Sequence, residues 1–99
     1  MEGPDEIIHQ SSRLRIVAAL NALGAREMLE FGQLKAMLEM TDGNLATHLA
    51  ALEKAGYVEV AKDFVGKRPR TRALLTVKGR RALRQHVAFL RSVLEGVQA

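Results

Sequence analysis

Two short stretches of this 99-residue chain carry residue types suited to recognition chemistry. One reads Gly66-Lys67-Arg68-Pro69-Arg70-Thr71-Arg72, four cations with no acid among them. Gly66 eases a turn and Pro69 limits strand pairing, which together predict a stiff hairpin tip. Basic side chains on such a tip can straddle a phosphate backbone or enter a narrow minor groove. The plainer alternative is an edge hairpin that uses charge against aggregation. That purpose has no need of four cations without an anion.

The other stretch is Thr41-Asp42-Gly43-Asn44-Leu45-Ala46-Thr47-His48-Leu49. Helical winding puts Leu45, Leu49 and Leu52 on one side and Gly43, Asn44, Thr47, Ala51 and Lys54 on the opposite one, with His48 at its edge. The outer face is small and polar, unlike the long Glu/Lys mixture of a plain solvated helix. A helix that enters the major groove needs a slim face, because the groove is only ~12 Å wide. Asn can read adenine, Thr offers a hydroxyl and a methyl, and His can donate to a base or a phosphate. Free N–H groups at the helix start suit a phosphate. An ordinary surface helix rich in small residues is the competing explanation.

Other chemistries find little support. The chain has no Cys, which excludes disulfides and thiolate metal sites. His9, His48 and His86 are far apart, and no two share a helical face at i, i+3 or i+4, so no metal site is expected. No nucleophile triad, phosphate-cradling Gly loop or carboxylate pair stands out, so neither catalysis nor a cofactor is expected.

The elements that must position these groups follow from periodicity. Pro4-Asp5-Glu6 predicts a helix start, continued by Ile7, Ile8, Leu14, Val17, Ala18 and Leu20 and closed near Gly24. Ser11-Ser12 either interrupts that segment or caps a second helix. Arg26–Glu30 reads as an extended connector or short strand, and Phe31–Leu38 as a helix. Met40–Asn44 forms a turn with Thr41 as N-cap, leading into a helix over Asn44–Ala55 that Gly56 ends. Tyr57–Lys62 and Thr71–Leu75 are strands of a hairpin, with Val65–Pro69 as its loop. Thr76 caps a final helix in which Leu83, Val87, Leu90, Leu94 and Val97 repeat at 4-3-4-3 spacing, with Phe89 and Val93 on one flank. Met28, Met37 and Met40 read as core filler.

Charge is unevenly spread. Residues 1–63 hold six Lys and Arg against ten Asp and Glu, a net of −4, whereas residues 64–99 hold nine against Glu95 alone, a net of +8. A one-sided basic stretch is either a solvated face or the footprint of a polyanion binder. No apolar run is long enough for a membrane span. The acidic N-terminus, Met1–Asp5, shows no secretory signal, so the cytoplasm is the expected compartment.

Taken together, the run Thr41–Leu49 followed by Leu52-Glu53-Lys54-Ala55-Gly56-Tyr57-Val58 closely resembles the recognition-helix segment of winged-helix transcriptional regulators in the MarR/ArsR-like group. Phe64–Thr71 and Leu75-Thr76-Val77-Lys78-Gly79-Arg80 are similar to that group's wing and its entry into the last helix. His9–Ile16 is similar to its opening helix. The resemblance covers Asp5 to Leu94 and implies an α+β fold, mainly helical with a small β-hairpin, namely a winged helix-turn-helix with a long C-terminal helix. It also implies a homodimer on double-stranded DNA. By position, Thr41, Gly43, Asn44, Thr47, His48 and Lys54 serve the recognition helix, Lys67, Arg68, Arg70 and Arg72 the wing, and Lys35 the DNA backbone. The chain departs from the group in lacking the Cys of many ArsR metal sensors, and it has one long C-terminal helix where many MarR relatives frame a ligand pocket with several. No effector is assigned.

The expectation is therefore one domain over residues 1–99, with 1–4 disordered and 76–97 a dimerisation helix that pairs through Leu83, Val87, Phe89, Leu90, Val93, Leu94 and Val97. Packing of that seam back onto its own domain is the alternative. The expected function is sequence-specific regulation of transcription, as a repressor on a pseudo-palindromic operator. Its rivals are a winged-helix protein–protein interaction module and a non-specific nucleic-acid binder.

Overall fold

Asp5 organises the start of the fold through partners distant in sequence. Its Oδ1 accepts the N–H groups of Ile7 (2.8 Å) and Ile8 (3.1 Å), and its Oδ2 accepts the Tyr57 hydroxyl (2.7 Å). Its own N–H donates to Nδ1 of the buried His86 (3.2 Å). Burial and the Asp5 hydrogen bond push the Tyr57 phenol up to about 12. Residues 5–8 are thereby held as a single capped turn, and Ile8 is fully buried. The helix expected from Pro4 does not form there. Gln10 is extended, its side chain accepts the Arg13 N–H (3.0 Å), and the first helix, α1, runs Ser11–Asn21.

The computed structural model describes residues 4–98, and of Val97 and Gln98 the backbone alone. The expected disorder of 1–4 falls, Pro4 apart, outside the described residues. After α1 come β1 (Leu29–Glu30), α2 (Phe31–Leu38), α3 (Asp42–Lys54), β2 (Val58–Val65), β3 (Arg68–Leu75) and α4 (Val77–Gln98). The strands form one antiparallel sheet in the order β1-β3-β2. The expected fold class, an α+β winged helix with a long last helix, is the one observed.

The α2–α3 turn is short because both ends are pinned. Glu39 takes a left-handed conformation (φ 53°), and the Arg15 guanidinium donates to the Leu38 carbonyl (2.7 Å). Thr41 accepts the Asn44 N–H (3.2 Å), so Asp42 and Gly43 already belong to the first helical turn. At the far end Gly56 (φ 82°) closes a Schellman motif: its N–H donates to Glu53 and that of Tyr57 to Leu52, both at 2.9 Å. Leu45, Leu49 and Leu52 are buried with Ile16, Val17, Leu20, Leu34 and Val58 in one core. Met37, expected there, is 57% exposed. α2 is too short to bury more than Leu34 and Leu38.

The hairpin is longer than its apolar alternation suggests. Pairing runs from Val58↔Leu75 to Val65↔Arg68, closed by Gly66-Lys67 with Gly66 at φ 63°. Glycine at the first central position suits a tight two-residue turn. Pro69 therefore lies within β3 and not in the loop. It occupies the stretch that β1, paired only at Ala73 and Arg72, does not reach, an edge position proline tolerates.

Thr76 caps the start of α4: its Oγ1 accepts the Gly79 N–H (3.0 Å) while its hydroxyl donates to the Gly56 carbonyl (2.7 Å). Its first half faces inward: Ala82, Leu83 and His86 are buried and Val87 packs on the core. Leu83 thus belongs to its own domain and is not free for a partner. Further along, Phe89 stacks on His86 and is half-buried, while Leu90, Val93 and Leu94 are exposed, Leu94 by 61%. The Val97 side chain lies outside the described residues.

Candidate nucleic-acid interface

α3 turns three leucines inward and presents Thr41, Asp42, Gly43, Asn44, Ala46, Thr47, Ala50, Glu53 and Lys54 to solvent. This is the slim face expected, except that Ala51 is half-buried and Ala50 is exposed in its place. A Cβ built on Gly43 would meet nothing within 4 Å. Glycine there leaves room outside the fold and is not demanded by packing. Thr41 spends its hydroxyl oxygen on the helix cap and contributes to the start of α3 mainly by holding it. Lys35 on α2 reaches Asp42 in the first turn of α3 (2.8 Å). Both groups are well exposed, so the pair is weak and an incoming phosphate can displace Asp42.

His48 is oriented by a residue the sequence reading did not assign. Arg13 on α1 donates its Nε–H to His48 Nδ1 (3.2 Å) and its Nη1 lies 3.5 Å from the Ile7 carbonyl. An imidazole that accepts at Nδ1 carries its proton on Nε2, so the outer nitrogen is a donor. The two residues stand 35 positions apart and meet only because α1 crosses α3, and no local pattern signals the contact.

The four wing cations separate into two pairs. Asp63 lies directly opposite Arg70 in the β2–β3 register. It accepts two hydrogen bonds from Arg70 (2.9 and 2.7 Å) and one from Arg72 (3.1 Å). The Arg70 hydrogen bond, above all, holds the Asp63 carboxyl below the usual carboxylate range, so the carboxylate stays ionised at neutral pH. Arg72 is as exposed as Arg70 overall, but its Nε is buried and has no partner among the described residues. Lys67 and Arg68 remain exposed at the tip and make no ion pair among the described residues. The expectation of a wing without an anion is corrected accordingly: Asp63, three residues before Gly66, supplies one, brought across by the hairpin register.

Phe64 (70% exposed) and Val65 flank the tip. Between the wing and the start of α2 lies an open cleft of about 470 Å³, lined by Glu30, Phe31, Gly32, Val65, Arg68 and Pro69. Among the described residues no group of three or more His, Asp or Glu is placed to hold a metal ion. No helix among them is long and apolar enough to cross a membrane.

Comparisons with known proteins agree with this geometry. An uncharacterized protein of Methanocaldococcus jannaschii is 39% identical over 82 residues, which is 83% of this chain and 86% of the relative. A transcriptional regulator homologue protein from Pyrococcus horikoshii OT3 superposes with a TM-score of 0.83 at 29% identity, covering 96% of this chain and 91% of that one. FabT of Streptococcus pneumoniae, solved in complex with DNA, gives a TM-score of 0.58 at 26% identity over 85% of this chain and 58% of that one. Residues 12–94, from α1 through the helix pair and the wing into α4, match the family described as winged helix DNA-binding domain, and the chain belongs to that family.

Proposed function

We propose that the protein is a sequence-specific regulator of transcription that binds double-stranded DNA as a homodimer on a pseudo-palindromic operator. The observation that carries this reading is the slim polar face of α3 beside a wing tip with two cations, Lys67 and Arg68, that make no ion pair among the described residues. Asn44, Thr47 and His48 read the major groove, with Gly43 allowing close approach and Lys54 at the far end of the helix. Lys67 and Arg68 hold phosphates, and Lys35 touches the backbone near the start of α3. The DNA complex of FabT and the regulator-like neighbour from Pyrococcus support the assignment by likeness of fold. Catalysis and a cofactor play no part in it, and the compartment is the one that holds the chromosome, the cytoplasm.

Dimerisation is proposed through the distal part of α4. Leu90, Val93 and Leu94 form an apolar stripe past the end of the domain core, with Val87 and Phe89 at its base. A two-fold pair would set the two α3 helices on half-sites about one turn of DNA apart, ~34 Å. Occupancy of such a site represses without any further device. Selection from a pool of random duplexes tests the whole reading. The protein should enrich a sequence with two inverted half-sites and sediment as a dimer at micromolar concentration. Enrichment of no sequence, or a monomer bound to a single half-site, would contradict it.

A further inference from the structure

The sheet face of the wing carries more positive charge than it presents. Arg70 and Arg72 are each about one-third exposed, and both are hydrogen-bonded to one carboxylate on the neighbouring strand. Glu30 on β1 stands opposite Arg72 in the other register, adding a second acid to the same sheet. Arg70 is bound through Nε and Nη2, the two-point fork that an arginine would otherwise offer to a phosphate. A phosphate that takes this fork must therefore displace Asp63.

We propose that Asp63 sets the sequence-independent affinity of the wing, by holding Arg70 and Arg72 on the sheet and leaving Lys67 and Arg68 as the cations that meet phosphate. This rests on the DNA-binding reading above and adds a specificity-determining residue to it. Each phosphate contact contributes about −0.9 to the slope of log affinity against log salt, irrespective of sequence. Two more free arginines would strengthen binding to every duplex alike. A regulator that must find one site among many gains nothing from affinity of that kind. Asp63 suppresses it without removing the arginines, which still brace the long hairpin.

The test is a salt titration of a fluorescent scrambled duplex with wild type, Asp63→Asn, Asp63→Ser, Asp63→Glu and the double variant Asp63→Asn/Arg70→Gln. For each arginine released, Asp63→Asn should bind about 8-fold more tightly near 0.1 M salt and steepen the slope by about 0.9. Asp63→Ser, which removes the same charge, should do likewise. Asp63→Glu keeps the charge and should stay within about two-fold of wild type. Adding Arg70→Gln should reverse the part of the gain that runs through Arg70. Circular dichroism checks that each variant is folded. If wild type binds and both neutral variants bind equally or more weakly, Asp63 does not restrain the arginines and the inference falls alone. If wild type binds no duplex even at low salt, the DNA-binding reading falls and takes this inference with it.

Discussion

Gly79→Ala should destabilise the protein by about 2–3 kcal/mol, the upper half of the range for overpacking a filled core. A Cβ at this position would overlap the Tyr57 carbonyl oxygen and come within 2.6 Å of Leu75 Cδ1. Neither can retreat cheaply. The Tyr57 carbonyl accepts the Thr76 N–H (3.0 Å), and the Tyr57 N–H closes the Schellman turn after α3. Leu75 is buried at the foot of β3. The first turn of α4 would have to lift off the hairpin, loosening Ala82, Leu83 and His86 together with the Asp5 turn that His86 and Tyr57 hold. Gly96→Ala is the matching control, because a Cβ there projects into open space, and it should be neutral or slightly stabilising. Urea unfolding of the two variants measures the difference. Equal midpoints would show that α4 does not dock against the hairpin as closely as described.

Lys67→Ala/Arg68→Ala should weaken binding to every duplex by about 60-fold near 0.1 M salt and flatten the salt slope by about 1.8, the share of two phosphate contacts. The loss should be the same for a selected operator and for a scrambled sequence, because phosphates carry no sequence information. Stability should barely change, since both side chains are exposed and make no ion pair among the described residues. Fluorescence anisotropy across a salt series supplies both numbers. An unchanged slope would mean that the tip does not reach the phosphates.

Local signals in the sequence anticipated what local chemistry decides. The i, i+4, i+7 leucines of α3, the bounds of α2, the Thr41 and Thr76 caps and the Gly56 stop all concern residues within a turn or two of one another, and each is found in place. What escaped depends on partners far along the chain. The N-terminal turn is fixed by Tyr57 and His86, 52 and 81 residues from Asp5, and a run of apolar spacing cannot reveal that. Asp63 was counted with the acidic half of the chain, because only the full hairpin register brings it opposite Arg70. The heptad-like seam of α4 is real as a spacing. Spacing alone does not separate Leu83, which meets its own core, from Leu90, Val93 and Leu94, which extend past it. His48 stood out as a candidate reader, but the Arg13 hydrogen bond that fixes its tautomer comes from another helix. The site was therefore legible as a set of residue types, and its electrostatics only through tertiary pairing.

The central claim, that α3 reads bases while the wing tip grips phosphates, is tested most directly by the affinity of Asn44→Ala for an operator obtained by selection and for a scrambled duplex. Asn44 is exposed, and only its backbone N–H serves the helix cap, so the substitution spares the fold. If Asn44 reads a base, operator binding should weaken by about 1–3 kcal/mol. Affinity for the scrambled duplex and the salt slope should stay at wild-type values. An equal loss on both duplexes, or none on either, would contradict the division of labour between α3 and the wing.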